Sequence, residues 1–168
     1  ANWLMDAARA VQYLHAQVPP LLHRDVKSPN FLVTEDWRLK LTDFGESRSL
    51  RDSGVMTGFK GTYQWMAPEM LAGEEEAHGG VKVDVYSLGI VLWELLTCRP
   101  PFDGIPGMQL TIRVIREHWR PQVPAWAPPA YVDVLRDCWH AMPERRPSAS
   151  DVVQRLEELF VRTCGEAP

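Results

Sequence analysis

A cluster of charged and amide side chains lies near the start of the sequence. The run HRDVKSPN at residues 23–30 contains Asp25, Lys27 and Asn30, and Asp43 follows 13 residues after Asn30 at the start of a DFG triplet. A lysine supplies a point charge for a transferring phosphoryl group, and an aspartate can accept a hydroxyl proton or orient the hydroxyl. Amide and carboxylate oxygens suit Mg²⁺, which usually takes one or two carboxylates together with phosphate oxygens and water. The cluster therefore indicates phosphate chemistry, with a solvated surface loop as the alternative.

Two short apolar runs decide whether Asp43 can reach that loop. Residues 31–33 and 39–41 are strand-like, and the polar sequence TEDWR between them is typical of a hairpin turn. A hairpin folds Asp43 back beside Asn30, so that both oxygen donors can meet one cation. Gly45 permits backbone angles that other residues avoid, which suits a turn at a metal site.

The composition restricts the class of protein. The 168 residues are 45% hydrophobic and 24% charged, which is typical of one globular domain with its own core. A net charge of −4 and a pI near 5.7 leave no basic stripe for nucleic acid or an acidic membrane. The most apolar run, residues 85–98, is too short for a bilayer and contains Glu94. We therefore expect a buried core helix there, no membrane segment and no nucleic-acid partner.

The cysteines indicate a reducing compartment. Cys98, Cys138 and Cys164 show no CxxC spacing, which disfavours both a disulfide framework and a zinc site. We expect Cys98 and Cys138 to be small buried hydrophobes. The start of the sequence carries charges where a signal peptide needs an apolar run. These features predict a cytoplasmic chain, which a membrane tether elsewhere in a longer protein would not contradict.

The periodicity predicts a mainly α chain with a small β-hairpin region. Helical spacing of apolar residues covers 2–17, 83–96, 105–118 and 131–139. A last helix is expected to begin at Ser148, with Asp151 as the reciprocal partner of a capping box. A long polar stretch from 45 to 61 has little periodicity, which indicates a functional loop.

The order of five motifs resembles the eukaryotic protein kinases. HRDVKSPN resembles their catalytic loop, DFG their metal-binding motif and GTYQWMAPEM the end of their activation segment. DVYSLGIVLWELLTCRPPF resembles the buried central helix, and CWHAMPERRPS resembles the segment before the final helix. The resemblance covers nearly the whole chain and implies, for residues 1–168, the helical C-terminal lobe of the protein kinase-like fold, which is α+β overall.

The motif details resemble one group of kinases. Lys27, two residues after Asp25, matches the serine/threonine type, and so does Thr62, which ties the substrate loop to the catalytic pair in that type. WMAPE and the CW and RPS elements also resemble tyrosine kinases. This mixture is similar to the tyrosine-kinase-like group of serine/threonine kinases. The implied substrates are the serine and threonine hydroxyls of proteins, in signal transduction.

The resemblance assigns the reacting groups. It implies that Asp25 is the catalytic base or hydroxyl-positioning residue and that Lys27 contacts the γ-phosphate. Asn30 and Asp43 would hold Mg²⁺, which bridges the phosphates of ATP. Leu32 would lie beneath the adenine ring.

The resemblance also implies a supporting frame. His23 and Phe44 would pack as members of an internal spine, and Asp84 would anchor the catalytic loop from the central helix. Glu69 and Arg146 would form a buried ion pair that locks the activation segment to the helical lobe.

Regulation would act through the loop that follows DFG. Arg24 is expected to pair with a phosphorylated residue of this loop, because a guanidinium binds phosphate with two parallel hydrogen bonds. The candidate phosphorylation sites are Thr57, then Ser53, Ser49 and Ser47.

The kinase resemblance also identifies motifs that the 168 residues do not contain. They include no GxGxxG loop, no VAIK-like strand lysine and no hinge. We therefore expect an N-terminal lobe in a longer parent protein and negligible activity from this chain alone. A non-catalytic scaffold or pseudokinase-like interaction module is the alternative. A small-molecule phosphotransferase is disfavoured, because GTYQWMAPEM resembles a segment that serves peptide substrates.

Overall fold

The first helix, α1, spans Trp3–His15 and begins at a polar cap. The Asn2 side chain accepts a hydrogen bond from the Met5 backbone N–H at 3.3 Å, and Asp6 lies in the first turn, where a negative charge is favourable. Helix α1 ends just before the Val-Pro-Pro sequence, as expected of residues that cannot continue the helical ladder. The computed structural model describes residues 2–49, 63–73 and 80–165.

Two small antiparallel sheets follow α1. Strand β1 (Leu21–Leu22) pairs with β4 (Arg48–Ser49), and β2 (Phe31–Val33) pairs with β3 (Leu39–Leu41). The predicted hairpin is confirmed, with Phe31 opposite Leu41 in its register. The pairing of β1 with β4 had no signal in the sequence, because strands of two residues have no periodicity.

The remaining described elements are helical. After the short α2 (Pro68–Leu71), the chain forms α3 (Lys82–Thr97), α4 (Gly107–Arg116), α5 (Pro129–Cys138) and α6 (Ala149–Gly165). Helix α3 packs against both α1 and α5, and α6 packs against α1 and α5. The residues of α3 from Val83 to Trp93 are all buried, so α3 is the predicted core helix. The prediction of a mainly α chain with a small hairpin region is confirmed.

The helix ends follow local chemistry. The predicted capping box before α6 is present: the Ser148 hydroxyl accepts from the Asp151 N–H at 3.1 Å, and the Asp151 carboxylate accepts from the Ser148 N–H at 2.9 Å. Helix α4 begins two residues later than predicted, because Pro106 is its N-cap. None of the described helices is both long enough and apolar enough to cross a membrane.

One cysteine prediction is wrong and one is confirmed. Cys98 is exposed, because it caps the C-terminal end of α3, beyond the buried residues of the helix, in a left-handed conformation with φ 53°. Cys138 is buried, and this burial raises the pKa of its thiol to about 12.

Asp6 fastens the β2–β3 hairpin to α1. The Arg38 guanidinium donates to both oxygens of the Asp6 carboxylate, at 2.6 to 3.0 Å, and the Leu39 N–H donates to the same group at 3.0 Å. The Arg38 hydrogen bonds hold the pKa of Asp6 below its usual value, and burial opposes them. The hairpin that precedes Asp43 is therefore held by a buried carboxylate.

We expect Asp6→Asn to destabilise the protein in a pH-dependent way. A carboxyl group whose pKa is lowered on folding contributes stability above its unfolded pKa, which is about 4. This contribution disappears as the pH falls through the lower folded pKa. The difference in unfolding free energy between wild type and variant should therefore be constant between about pH 5 and about pH 7, and it should shrink below about pH 4.

Urea unfolding across this pH range measures the difference. Asp137→Asn is the matched control, because its ion pair with Arg155 is half exposed (51% for Asp137) and should contribute at most about 1 kcal/mol. A difference for Asp6→Asn that does not change with pH would contradict the prediction.

Gly89 allows α3 and α5 to approach closely. A Cβ at this position would lie 2.8 Å from Cys138 Cβ and 3.4 Å from the Trp139 backbone nitrogen. We expect Gly89→Ala to lower the free energy of unfolding by about 1–3 kcal/mol, because overpacking outweighs the gain in helix propensity. Gly80→Ala is the control, since a Cβ there meets nothing within 4 Å. Equal stability of both variants in urea unfolding would contradict the conclusion that α3 and α5 leave no room for a side chain at residue 89.

Candidate active site

The loop of residues 23–30, which we call the catalytic loop after the kinase loop that it resembles, is attached to α3 through a buried carboxylate. The Asp84 oxygens accept the backbone N–H groups of His23 at 2.8 Å and of Arg24 at 2.7 Å. His15 Nε2 lies 3.0 Å from the same carboxylate. Asp84 is only 1% exposed, so it holds these groups away from competing water. The loop therefore begins from a fixed point on the core helix.

His23 serves as a connector. Its Nδ1 accepts the Asp25 N–H at 3.3 Å, so its proton is assigned to Nε2, which donates to the Thr42 carbonyl at 3.0 Å. Its ring meets the Phe44 ring edge-on, with centroids 5.1 Å apart. Because both ring nitrogens are engaged, the imidazole links the catalytic loop to the DFG triplet.

Asp25, Lys27 and Asn30 converge on one carboxylate oxygen. Asp25 Oδ2 lies 2.6 Å from Lys27 Nζ and accepts from Asn30 Nδ2 at 3.1 Å. Asn30 Nδ2 also donates to the Asp25 carbonyl at 2.7 Å. These bonds fix the orientation of the Asp25 carboxylate, and within the described part of the chain its other oxygen accepts no hydrogen bond.

The hairpin brings Asp43 back to the loop. The Thr42 N–H and hydroxyl both donate to the Asn30 carbonyl, at 2.8 and 3.0 Å. Asp43 follows directly in a left-handed conformation, with φ 63°, and its carboxylate accepts from the Gly45 N–H at 3.4 Å. The backbone of Asp43 is therefore held close to that of Asn30, as the predicted hairpin requires.

The residues at this place fit a magnesium ion bound to phosphates. Both hydrogen bonds of the Asn30 amide are donated by Nδ2, which leaves the amide oxygen available, and the Asp43 carboxylate is exposed. Among residues 2–49, 63–73 and 80–165, no three His, Cys, Asp or Glu side chains form a metal-binding group. A buried amide oxygen and an exposed carboxylate suit a cation that completes its shell with phosphate and water.

The adenine-contact prediction falls on an exposed side chain. Leu32 is 58% exposed on β2, and its neighbour Val33 is 50% exposed. Phe44 is also 47% exposed, although it contacts His23. The roles of Leu32 and Phe44 remain predictions.

Glu69 and Arg146 form a buried ion pair. The two guanidinium nitrogens donate to the two oxygens of Glu69 at 2.6 and 2.7 Å. Arg146 also donates to the His140, Lys82 and Ala141 carbonyls, and it is 2% exposed. This pair fastens α2, which includes the last three residues of the GTYQWMAPEM segment, to the loop before α6.

The predicted substrate-loop residue Thr62 and the candidate phosphorylation sites Thr57 and Ser53 lie outside the residues that the structure describes. The backbone of Ser49 pairs with Leu21, and Ser47 Oγ lies 3.5 Å from the His23 carbonyl.

Arg24 is a further predicted regulatory residue. It is 8% exposed, with a left-handed backbone at φ 67°. Its proposed phosphate contact stays a prediction.

The sequence analysis did not identify four residues that build the site. Asp6 and Arg38 hold the hairpin, His15 contacts Asp84, and Glu94 binds two loops. Asp6 and Arg38 are 32 positions apart, so no local pattern links them. Glu94 is an acidic residue within the most apolar run of the sequence, which is a usable signal.

We expect Arg146→Met to lower the free energy of unfolding by about 3–5 kcal/mol, because Glu69 would remain as a buried unpaired charge. Arg9→Met is the matched control: Arg9 also pairs with a glutamate at 2.8 Å, but the two side chains are 54% and 50% exposed. The control should lose at most about 1 kcal/mol. Urea unfolding gives both values, and equal losses would contradict the assignment.

Comparison with known proteins identifies the family. A family model described as protein kinase domain matches residues 1–156. The chain is 43% identical over 156 residues to the probable serine/threonine-protein kinase drkA of Dictyostelium discoideum, and 39% identical over 165 residues to drkB of the same organism. It is 42% identical over 154 residues to the serine/threonine/tyrosine-protein kinase HT1 of Arabidopsis thaliana.

The matches cover most of this chain and a small part of each relative. The alignments include 93%, 98% and 92% of the chain but only 24%, 23% and 38% of drkA, drkB and HT1. The resemblance drawn from the motifs is thereby confirmed, and the chain belongs to the protein kinase domain family.

Proposed function

We propose that this chain is the C-terminal lobe of a protein serine/threonine kinase that transfers a phosphoryl group from MgATP to serine and threonine hydroxyls of proteins. The observation that carries the proposal is the shared Asp25 oxygen, which Lys27 and Asn30 contact together at 2.6 and 3.1 Å. A solvated surface loop has no need for a lysine, an amide and a carboxylate in mutual contact. The names of the relatives support the substrate class.

Each side chain has a distinct task in this reaction. The free oxygen of Asp25 accepts the proton of the substrate hydroxyl, or orients that hydroxyl, as its oxygen forms the new bond to phosphorus. When bound, MgATP supplies the phosphoryl group and ADP as the leaving group. Lys27 stabilises negative charge on the transferring group, and it is held by Asp25 where that charge develops.

The metal-holding task falls to Asn30 and Asp43. Asn30 offers its amide oxygen, because its nitrogen is committed to Asp25. Asp43 offers a carboxylate from the adjacent position in the hairpin. Their proximity depends on the Thr42 bonds to the Asn30 carbonyl, so the hairpin register sets the metal site.

An exposed apolar surface supports the presence of a second lobe. Leu32, Val33 and Phe44 are about half exposed near the site, and Tyr13, which shares a cleft with Phe44, is 69% exposed. Large exposed apolar side chains are typical of an interaction surface. We assign this surface to the N-terminal lobe of a longer cytoplasmic protein, which would bind ATP from the other side. A scaffold that binds partners through the same surface is the second candidate.

The test uses the full-length protein that contains this chain. We expect Asp25→Asn to lower kcat for a protein substrate by at least about 100-fold, because general base catalysis and hydroxyl positioning are lost. The KM for ATP should change little, since Asp25 does not hold the nucleotide. Radiolabelled ATP measures the transfer, and Asp133→Asn, an exposed position on α5, is the control.

Two outcomes would contradict the proposal. Full activity of the Asp25→Asn variant would contradict the role assigned to Asp25. A wild-type protein that binds partners but transfers no phosphate would favour the scaffold function. The isolated 168 residues should transfer no measurable phosphate, because positioning of ATP depends on both lobes. Robust transfer by them alone would refute the lobe assignment.

A further inference from the structure

A cavity of about 700 Å³ lies at the C-terminal end of α3, outside the candidate active site. Its walls come from α3, from the loop between α3 and α4, and from residues 119–126, which we call the proline segment. A volume between roughly 300 and 1,000 Å³ is typical of sites for small organic molecules. None of the residues assigned to phosphoryl transfer or metal binding lines this cavity. It is therefore a separate candidate site.

The lining of this cavity is rich in aromatic side chains. Trp93 of α3, Phe102 of the following loop and Trp119 of the proline segment contribute to it. The centroids of the Phe102 and Trp119 rings are 5.0 Å apart. Trp126 also lines the cavity, and 66% of its surface is exposed. Aromatic walls favour a ligand with a flat ring system, because offset stacking adds to the burial of apolar area.

Hydrogen bonds to backbone carbonyls hold these walls together. The Trp93 indole N–H donates to the Gln122 carbonyl at 3.0 Å, which attaches the proline segment to α3. The Arg120 guanidinium donates to the Trp119 carbonyl and to the Trp139 carbonyl, both at 2.8 Å. These bonds fix the proline segment on two sides. A preformed site requires little ordering when a ligand binds, which favours affinity.

The cations of the cavity lining outnumber its anions. Arg99 and Arg120 line the cavity together with one acid, Asp103. Both acceptors of the Arg120 guanidinium are neutral carbonyls, and no carboxylate in the described part of the chain forms an ion pair with it. Burial lowers the pKa of Arg120, because the cation loses solvation. An anion in the cavity would offset that cost, whereas a cation would be repelled by both arginines.

We propose that the cavity binds a small planar aromatic molecule that carries an anionic group such as a carboxylate or a sulfonate. The ring system lies against Trp126 and against the Phe102–Trp119 pair. The anionic group pairs with Arg120, and Arg99 supplies a second, exposed cation. This site is distinct from the one that transfers phosphate, so the proposal does not depend on the proposed kinase function.

Fluorescence titrations of the full-length protein with two dyes test this site. Anilinonaphthalene sulfonate is an aromatic anion, and N-phenylnaphthylamine has the same rings without the sulfonate. Saturating MgATP is present throughout, so that neither dye reports on a nucleotide site. We expect both dyes to bind the wild-type protein, since both can stack on the cavity walls. A wild-type protein that binds neither dye would overturn the proposal.

Trp126→Ala tests the contact with the ring system. We expect this variant to bind both dyes at least about threefold more weakly, because a stacked aromatic pair is lost. Trp37→Ala is the matched control, since it removes a tryptophan that is 65% exposed on the β2–β3 hairpin and should change neither affinity. Unchanged binding in Trp126→Ala, or equal losses in the two variants, would place the dyes elsewhere and overturn the site.

Arg120→Gln and Arg99→Gln test the contact with the anionic group. We expect the sulfonate dye to bind about tenfold more weakly to Arg120→Gln and about threefold more weakly to Arg99→Gln, because a partly buried charged contact contributes more than an exposed one. The uncharged dye should bind both variants as tightly as it binds the wild type, which also shows that the cavity is intact. Arg136→Gln, at an exposed position on α5, is the control and should change neither affinity.

The exposed position of Arg99 keeps this test decisive if Arg120→Gln fails to fold. Arg99→Gln then gives the answer alone, because Arg99 can be replaced without disturbing the bonds of the proline segment. A sulfonate dye that binds the folded arginine variants as tightly as the wild type would overturn the assignment of an anionic ligand. Equal losses for the charged and uncharged dyes would overturn it as well.

Discussion

The candidate site depends on the buried carboxylate of Asp84. A carboxylate at 1% exposure is stable only when its oxygens are satisfied, and here the N–H groups of His23 and Arg24 satisfy them. Those two amides precede Asp25, so the start of the catalytic loop cannot move without leaving a buried charge unsatisfied. His23 then carries the constraint to the hairpin through its bond to the Thr42 carbonyl. One electrostatic requirement thus connects α3, the loop and Asp43.

The core helix presents its polar groups along one stripe. Asp84, Ser87 and Glu94 are spaced by three and seven positions, which brings them to the same side of α3. Asp84 holds the catalytic loop, Ser87 holds the segment 63–67 before α2, and Glu94 contacts both. Because a helix packed on all sides is rigid, it can fix three loop contacts relative to one another. The buried apolar residues of α3 hold the helix in a fixed position. Its few polar residues can therefore hold the loops that they contact in fixed positions as well.

The sequence predicted the parts of this arrangement whose signals are local. The hairpin followed from alternating polarity and a polar turn, and the capping box followed from Ser148 and Asp151 at their required spacing. The proximity of Asp43 to Asn30 could be predicted because a hairpin determines it. The β1–β4 pairing could not be predicted, since it joins distant two-residue strands.

Buried polar contacts between distant elements were the main gap. Glu94 was noted in the sequence only as a charge that argues against a membrane span, although an acid within an apolar run needs a hydrogen-bond partner when it is partly buried. Its partners, Ser28 and Trp65, are 66 and 29 positions away, beyond any local pattern. The prediction for Cys98 was wrong because it relied on residue type alone. Cysteine is usually buried, but Cys98 lies at the exposed end of α3.

The Asp25–Lys27 pair and the apolar side chains near it are both partly exposed to water. The side chains of Asp25 and Lys27 are 16% and 19% exposed, so water reaches the pair and weakens its field. Leu32, Val33 and Phe44 lie nearby with about half of their surface in water. A lobe that covers these three side chains would gain from their burial and would also exclude water from the pair. The same apolar contacts that hold such a lobe in place would therefore strengthen the electrostatic stabilisation that Lys27 provides.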